Sequence, residues 1–201
     1  MKESNSNDGL FPFFERVQKL RWIERCSNTQ HMKSYSVAQH SFYMALYGII
    51  FAGLENKRLD KEYYDLGLVA SKAIIHDIEE SETGDILFPL HNDHPVFKKK
   101  LDFIRTACID NEVFKEISYP TGEYFKNLWK TAKDNSPEGN MVACMDKFEI
   151  LMFAVSELEV GNSSIKNIYN NSIRILYSDF FNIKSVIEVV KELEIRFGCG
   201  C

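Results

Sequence analysis

The chain has 201 residues, of which 45% are hydrophobic and 13% aromatic, so it can bury a substantial core within one domain. Its net charge of −5 argues against a nucleic-acid polymer as a partner, because surfaces that bind such polymers carry basic patches. The longest apolar run, residues 42–54, is shorter than the roughly 20 residues that span a bilayer, and residues 1–9 are polar. We therefore expect a cytoplasmic protein with no membrane partner.

Helical rather than strand periodicity dominates, and no alternating apolar-polar run is bounded by hairpin turns, so we predict an all-α, single-domain helical bundle. Within it, residues 11–197 form the domain, residues 1–10 a flexible N-terminal segment and residues 198–201 a tail. The predicted helices span residues 11–26, 36–54, 60–80, 96–117, 123–133, 137–159, 163–180 and 183–197.

Local signals mark several helix ends and the state of the cysteines. Ser36 and Gln39 fit a capping box at the start of the second helix, and Gly84 stops the third. The five cysteines show no framework spacing, so we expect reduced thiols. We interpret Cys199 and Cys201 as part of an unstructured tail, with metal binding as the alternative.

Residues 74–85 concentrate one imidazole and five carboxylates directly behind an apolar run. An ionised carboxylate away from water needs a partner, and a divalent cation is the obvious candidate. His76 and Asp77 point about 100° apart on a helix, so both reach one ion only if it lies between their directions, near the helix end.

Two further residues could complete a metal site. His40 lies in the first turn of the second helix, where the helix dipole favours the neutral ring, although a histidine in such a position is more often a core residue. Asp146 interrupts an apolar stripe; the alternative is a salt bridge to Lys147 or Arg174. Two nitrogens and two oxygens suit Mn, Co, Ni, Fe, Zn or Mg without singling out one of them.

The order His40, His76-Asp77, Asp146 resembles that of the HD-domain metal-dependent phosphohydrolases. A larger ordered set of motifs is similar to the bacterial HD-domain 5′-deoxynucleotidases over residues 11–162. The motifs are Arg21-Trp22, Val37-Ala38-Gln39-His40-Ser41, His76-Asp77-Ile78-Glu79-Glu80, Thr83-Gly84-Asp85 and Asp146-Lys147, followed by Gly161-Asn162.

This resemblance implies an HD-type helical bundle that forms a homodimer. It also implies an enzyme that removes the 5′-phosphate from 2′-deoxyribonucleoside monophosphates. It implies His40, His76, Asp77 and Asp146 as ligands of a divalent ion, with Asp77 also a catalytic residue and with His40, Asp77 and Asp146 also bordering the substrate. Glu80 then helps to activate the attacking water, in agreement with its place one turn after His76. Otherwise it is a solvated carboxylate at a helix end.

The remaining roles also come from the resemblance. It implies that Arg21 orients the phosphate as part of the catalytic machinery, and that Trp22 closes on the sugar. Asp85 is implied as a contact to the sugar, or else it is a turn residue after a glycine. We assign Glu79 and Glu82 to solvent.

Three departures from the family pattern affect the prediction. Gln39 replaces an acidic residue, which matters little because both can cap a helix. The connection from Trp22 to His40 is longer than usual, and the segment 86–88 differs. Both border the substrate, and His91 and His94 could reach additional phosphates.

Two alternatives therefore stay open: a deoxynucleoside triphosphate triphosphohydrolase, and a noncatalytic sensor that binds a nucleotide. The water-activating Glu80 argues against the sensor.

Overall fold

A computed structural model describes residues 9–86 and 95–198, in which helices are joined by turns and irregular segments and no strand occurs within those ranges. The prediction of an all-α fold is confirmed. The helices are α1 (Phe11–Gln18), α2 (Val37–Leu59), α3 (Leu66–Ile75), α4 (Glu80–Thr83), α5 (Pro95–Cys108), α6 (Thr121–Lys130), α7 (Pro137–Glu159), α8 (Lys166–Asp179) and α9 (Lys184–Phe197). Residues 87–94, which include His91 and His94, and the Cys199 and Cys201 tail lie outside the described part.

The two long helices α2 and α7 form the centre of the bundle, and both begin at side-chain caps. Ser36 and Gln39 make the predicted capping box, with the Ser36 N–H donating to Gln39 Oε1 at 2.8 Å. Ser136 accepts from the Gly139 N–H at 3.0 Å and starts α7 before Pro137. Both caps satisfy N–H groups that the first turn of a helix leaves without partners.

Buried residues form two clusters. The larger cluster joins α2, α3, α7, α8 and α9, whereas the smaller joins the α1 region and the end of α3 to residues 109–114 and α6. Close approach of α2 to α3 depends on Gly48, because a Cβ atom there would lie 2.8 Å from Val69 Cγ1.

Helix α2 presents one face to the core and an apolar face to solvent. Its 23 residues make it long and apolar enough, by length and composition alone, to cross a bilayer, so the short-run argument from residues 42–54 does not hold. The helix nevertheless packs against both α3 and α7, and Met44 and Ala52 are fully buried. Its exposed apolar side chains lie on the opposite side of the helix; they are Phe42, Leu46, Ile49, Ile50 and Leu54.

The first predicted helix is too long by eight residues. Helix α1 ends at Gln18, and a short 3-10 turn, Lys19–Arg21, leads into an extended stretch. The backbone of this stretch pairs with residues just before α2, with the Arg25 N–H donating to the Tyr35 carbonyl at 2.8 Å and the Val37 N–H to the Ile23 carbonyl at 3.0 Å. These hydrogen bonds satisfy backbone groups that would otherwise bond within a longer α1.

The third helix also differs from its prediction at both ends. It begins at Leu66 because Asp65 caps it, accepting from the Leu68 N–H at 2.9 Å. It ends at Ile75 rather than continuing to residue 80, so His76 and Asp77 lie in a tightened turn between α3 and α4.

Candidate metal and phosphate site

The turn after α3 fixes the orientation of His76. Its backbone closes through short-range bonds, from the Ile78 N–H to the Ile75 carbonyl and from the Glu80 N–H to the Asp77 carbonyl, each 3.1 Å long. The His76 Nδ1 atom lies 2.7 Å from the Ala73 carbonyl oxygen, which can only accept, so Nδ1 carries the proton. The lone pair is then on Nε2, and burial lowers the pKa of His76, which favours the neutral ring.

Glu149 orients His40 in the same way. Its Oε2 atom lies 2.5 Å from His40 Nδ1 and also accepts a hydrogen bond from the Tyr35 hydroxyl group. A carboxylate on Nδ1 holds the proton there and leaves the Nε2 lone pair free, as in carboxylate–histidine–metal arrangements. Glu149 lies three residues after Asp146 on α7, and an acidic residue at that spacing on a buried stripe was the signal available in the sequence.

The four predicted ligands converge. Candidate ligand atoms of His40, His76 and Asp77 all lie within 4.8 Å of one another, and Asp146 Oδ1 lies 3.3 Å from His40 Nε2. His76 Nε2 and Asp77 Oδ2 are 2.8 Å apart.

A cation fits this donor set. Within residues 9–86 and 95–198, both Nε2 atoms are buried without a hydrogen-bond partner, a state that costs about 1–3 kcal/mol each. Two imidazole lone pairs and two carboxylates satisfy a borderline divalent ion. The protein thus has the residues that a metal site requires.

Cationic side chains surround the two ligand carboxylates. Arg25 Nη1 lies 2.9 Å from Asp77 Oδ2, and Lys133 Nζ lies 2.8 Å from Asp146 Oδ2. Burial alone would raise the pKa of both carboxyl groups, but His76, followed by Lys133 and Arg25, holds the pKa of Asp77 well below its usual range, and Lys133 and Lys147 do the same for Asp146. Of the two predicted salt-bridge partners of Asp146, Lys147 is 3.3 Å away.

Arg174, the other predicted partner, donates to Asn171 instead, at 2.8 Å.

Glu80 lies beside the ligands with an unsatisfied oxygen. The side chain is buried, 3.8 Å from Arg25 Nη1 and 3.7 Å from Arg105 Nη2, and its Oε2 has no hydrogen-bond partner among the described residues. Burial and the charge of Asp77 raise the pKa of Glu80 well above that of an exposed glutamate. Such a carboxyl group is suited to accept a proton.

A cavity of about 540 Å³ opens from this cluster, within the roughly 300–1,000 Å³ typical of small-molecule sites. Asp77, Glu80 and Asp146 line its charged part, and Ile150, one turn beyond Asp146 on α7, leads towards α8. The cavity is large enough for a ligand that has both charged and uncharged parts.

Comparison with known proteins identifies the family. A family model described as 5′-deoxynucleotidase YfbR-like matches residues 12–190. The chain belongs to this family. A 5′-deoxynucleotidase of Dictyostelium discoideum is 28% identical over 145 residues, which cover 71% of this chain and 74% of the relative. A 5′-deoxynucleotidase of Vibrio vulnificus is 23% identical over 150 residues, covering 75% and 76%.

Solved structures agree with this assignment. An HD-domain phosphohydrolase from Listeria innocua superposes with a TM-score of 0.79 at 25% identity, covering 92% of this chain and 87% of that one. A cyanophage S-2L HD phosphohydrolase, solved with dA and one catalytic Zn²⁺ ion, has a TM-score of 0.60 at 16% identity over 98% of both chains, which shows the fold alone. The predicted resemblance to HD-domain phosphohydrolases is confirmed.

Within this YfbR-like chain, Arg21 and Trp22 lie outside the cavity. Trp22 is 80% exposed, and Arg21 donates to Gln18 at 3.3 Å on the surface. Further along the extended segment, Ile23 packs against the smaller buried cluster and Arg25 lines the cavity. The structure thus corrects the position of the arginine: the guanidinium group in the cavity is that of Arg25.

Asp85 does line the cavity. Burial raises its pKa, and the charge of Arg25 offsets part of that effect. Its contact with a substrate sugar stays a prediction.

The assignment of Glu79 to solvent was wrong. Glu79 is 2% exposed and accepts a hydrogen bond from Trp129 Nε1 at 2.6 Å, while Arg105 Nε lies 3.4 Å from its other oxygen. Burial and the charge of Asp77 raise the pKa of Glu79 to about 7. Glu82 is partly exposed and pairs with Arg16 at 3.1 Å.

Proposed function

We propose that this chain is a metal-dependent 5′-deoxynucleotidase that converts a 2′-deoxyribonucleoside 5′-monophosphate into a deoxynucleoside and phosphate. The observation that carries the proposal is the convergence of His40 Nε2 and His76 Nε2 on Asp77 and Asp146 beside Glu80; both nitrogens are buried and have no hydrogen-bond partner within the part of the chain that the structure describes. Membership of the YfbR-like family and the 5′-deoxynucleotidase names of relatives support it.

The metal would be held by His40, His76, Asp77 and Asp146. When bound, a divalent ion of this kind polarises a phosphoryl oxygen and lowers the pKa of a coordinated water. The donor set fits Mn, Co, Ni, Fe, Zn and Mg alike.

The chain's own residues perform the remaining steps. Arg25 and Lys133 flank the ligand carboxylates and bind the phosphate oxygens, stabilising charge as the phosphoryl group is attacked. Glu80 takes the proton of the attacking water on Oε2, which accepts no hydrogen bond from the described residues. The new P–O bond forms as the bond to the 5′-oxygen breaks, and a proton returns to that oxygen to give the 5′-hydroxyl of the deoxynucleoside.

The test compares dAMP, AMP and dATP as substrates after removal of metal by EDTA and readdition of Mn or Co. We expect phosphate from dAMP, little from AMP, and no activity before metal is restored. Inert dAMP together with triphosphate released from dATP would establish the triphosphohydrolase alternative. Tight binding of dAMP without any product, with each metal, would establish the sensor alternative.

We further propose that the protein is a cytoplasmic homodimer that uses the exposed face of α2. Phe42, Leu46 and Ile50 follow one another on that face at helical spacing, which makes a continuous apolar stripe. Free thiols at Cys26, Cys108 and Cys144 agree with a reducing compartment.

Light scattering of the wild type and of Leu46→Lys tests the dimer. We expect a dimeric mass that becomes monomeric in the variant, while a variant at the exposed Lys191 leaves the mass unchanged. Wild-type protein that sediments with vesicles and is monomeric without them would show that a bilayer covers this face instead.

A further inference from the structure

The cavity has an uncharged part that the hydrolytic site does not use. Beyond Asp146 it is walled by Ile150 of α7 and by Ile168 and Ile175 of α8, and α8 also contributes Asn167 and Asn171. Helices α7 and α8 pack against each other, so this part continues directly from the ligand Asp146. A ligand whose phosphate lies at the charged part extends its other end here.

Asn167 and Asn171 are one helical turn apart and therefore share a face of α8. Arg174 Nη2 donates to Asn171 Oδ1 at 2.8 Å, which fixes the amide orientation and leaves its NH₂ group as a donor. Primary amides carry both hydrogen-bonding functions without charge. They match the edges of nucleobases, which present neutral donors and acceptors, better than they match a phosphate.

The isoleucine side chains of the uncharged part complement the two amides, because they offer apolar contact instead of hydrogen bonds. Ile168 directly follows Asn167, and Ile175 lies one helical turn after Asn171; the two isoleucines are seven residues apart and hence on one face. Branched aliphatic side chains contact the faces of a planar ring, while the amides reach its edge. Together they give this part of the cavity apolar walls and neutral polar groups, which suit a planar heterocycle with polar edges.

We propose that Asn167 and Asn171 bind the nucleobase of the deoxynucleotide, so that α8 determines the base preference. This inference rests on the proposed nucleotidase function. The donor left on Asn171 pairs with an acceptor of the base, such as N7 or N3 of a purine or a carbonyl oxygen of a pyrimidine.

The test measures kinetics of Asn167→Ala/Asn171→Ala with dAMP, dGMP, dCMP and dTMP, and the inhibition constant of 2-deoxyribose 5-phosphate, which has no base. For the best wild-type substrate we expect kcat/KM to fall about tenfold, mainly through KM, and the four substrates to become nearly equal. Inhibition by 2-deoxyribose 5-phosphate should be unchanged, because that molecule makes no base contact.

The matched control is Asn170→Ala, which changes the same residue type on the same helix outside the cavity lining and should behave as wild type. Unchanged kinetics of the double variant with all four substrates would overturn the inference. So would an equal loss of affinity for 2-deoxyribose 5-phosphate, because that result indicates a distorted helix. A wild type inert towards every monophosphate with each metal would instead refute the proposed function on which the inference rests.

Discussion

Two of the regions that form the metal and phosphate site differ in how their structure arises. The first is the ligand framework, in which α2, the end of α3 and α7 carry His40, His76, Asp77 and Asp146. The second is the arm, residues 22–36, which carries Arg25. Framework helices form through local hydrogen bonds and caps, whereas the arm bonds to itself across about a dozen residues. Local sequence patterns therefore predict the framework and miss the arm.

The largest expected effect comes from removing a framework ligand. Asp77→Ala deletes a metal ligand and leaves Arg25 without its 2.9 Å partner, so we expect hydrolysis of dAMP to fall to background. Metal content after dialysis and turnover check this, with Asp102→Ala on the exposed side of α5 as a control for loss of an acidic residue. An active Asp77→Ala protein that retains stoichiometric metal would show that the framework is not the metal site.

The arm is tested by two arginine variants four residues apart. Removing the guanidinium of Arg25 takes a phosphate-binding group out of the cavity, and we expect kcat/KM for dAMP to fall about 100-fold. Arg21→Ala removes a surface side chain and should change kcat/KM less than about twofold. Arg25→Lys should recover part of the loss, since it restores charge without the bidentate geometry. The reverse ranking would show that the arm closes differently over the substrate.

A smaller effect is expected for the residue that orients His40. Glu149→Gln keeps the shape of the side chain but weakens the hold on the Nδ1 proton, and such changes typically lower metal affinity about 10- to 100-fold. Calorimetric titration with Co or Mn measures the affinity, and the melting temperature reports any loss of folding. Unaltered affinity would mean that packing alone orients the ring.

How much of the structure the sequence predicts also differs between the ligand framework and the arm. Ser36, Gln39 and Ser136 mark helix starts because a cap involves residues only three positions apart. No comparable local signal ends α1 at Gln18, because the competing bonds link residues 23–25 with residues 35–37. The motif Arg21-Trp22 therefore predicts a phosphate contact by Arg21, whereas the arginine of this segment that lines the cavity is Arg25.

Buried acidic side chains are the second feature that the sequence does not predict. In the sequence, Glu79 has the pattern of one of several surface carboxylates. Its partners Arg105 and Trp129 reach it only because α5 and α6 pack nearby. Glu149 is likewise paired with Tyr35, 114 residues away in the chain. Burial of an acidic side chain depends on distant partners, which a local pattern does not contain.

The smallest expected effect comes from replacing two glycines of α2 by alanine, which tests how the packing of α2 holds the ligand framework together. Alanine in place of glycine stabilises a helix interior by up to about 1 kcal/mol. A Cβ at Gly53 meets nothing within 4 Å and should yield that gain, whereas a Cβ at Gly48 would lie 2.8 Å from the stiff Val69 side chain of α3.

Overpacking of this kind costs about 1–3 kcal/mol, so we expect Gly48→Ala to be about 1–3 kcal/mol less stable than Gly53→Ala in urea unfolding at constant slope. Because His40 lies two turns before Gly48 on α2, and the His76 turn follows α3, the same strain should also weaken metal binding in Gly48→Ala. Equal stability and metal affinity in the two variants would mean that α2 and α3 can separate without disturbing the ligands.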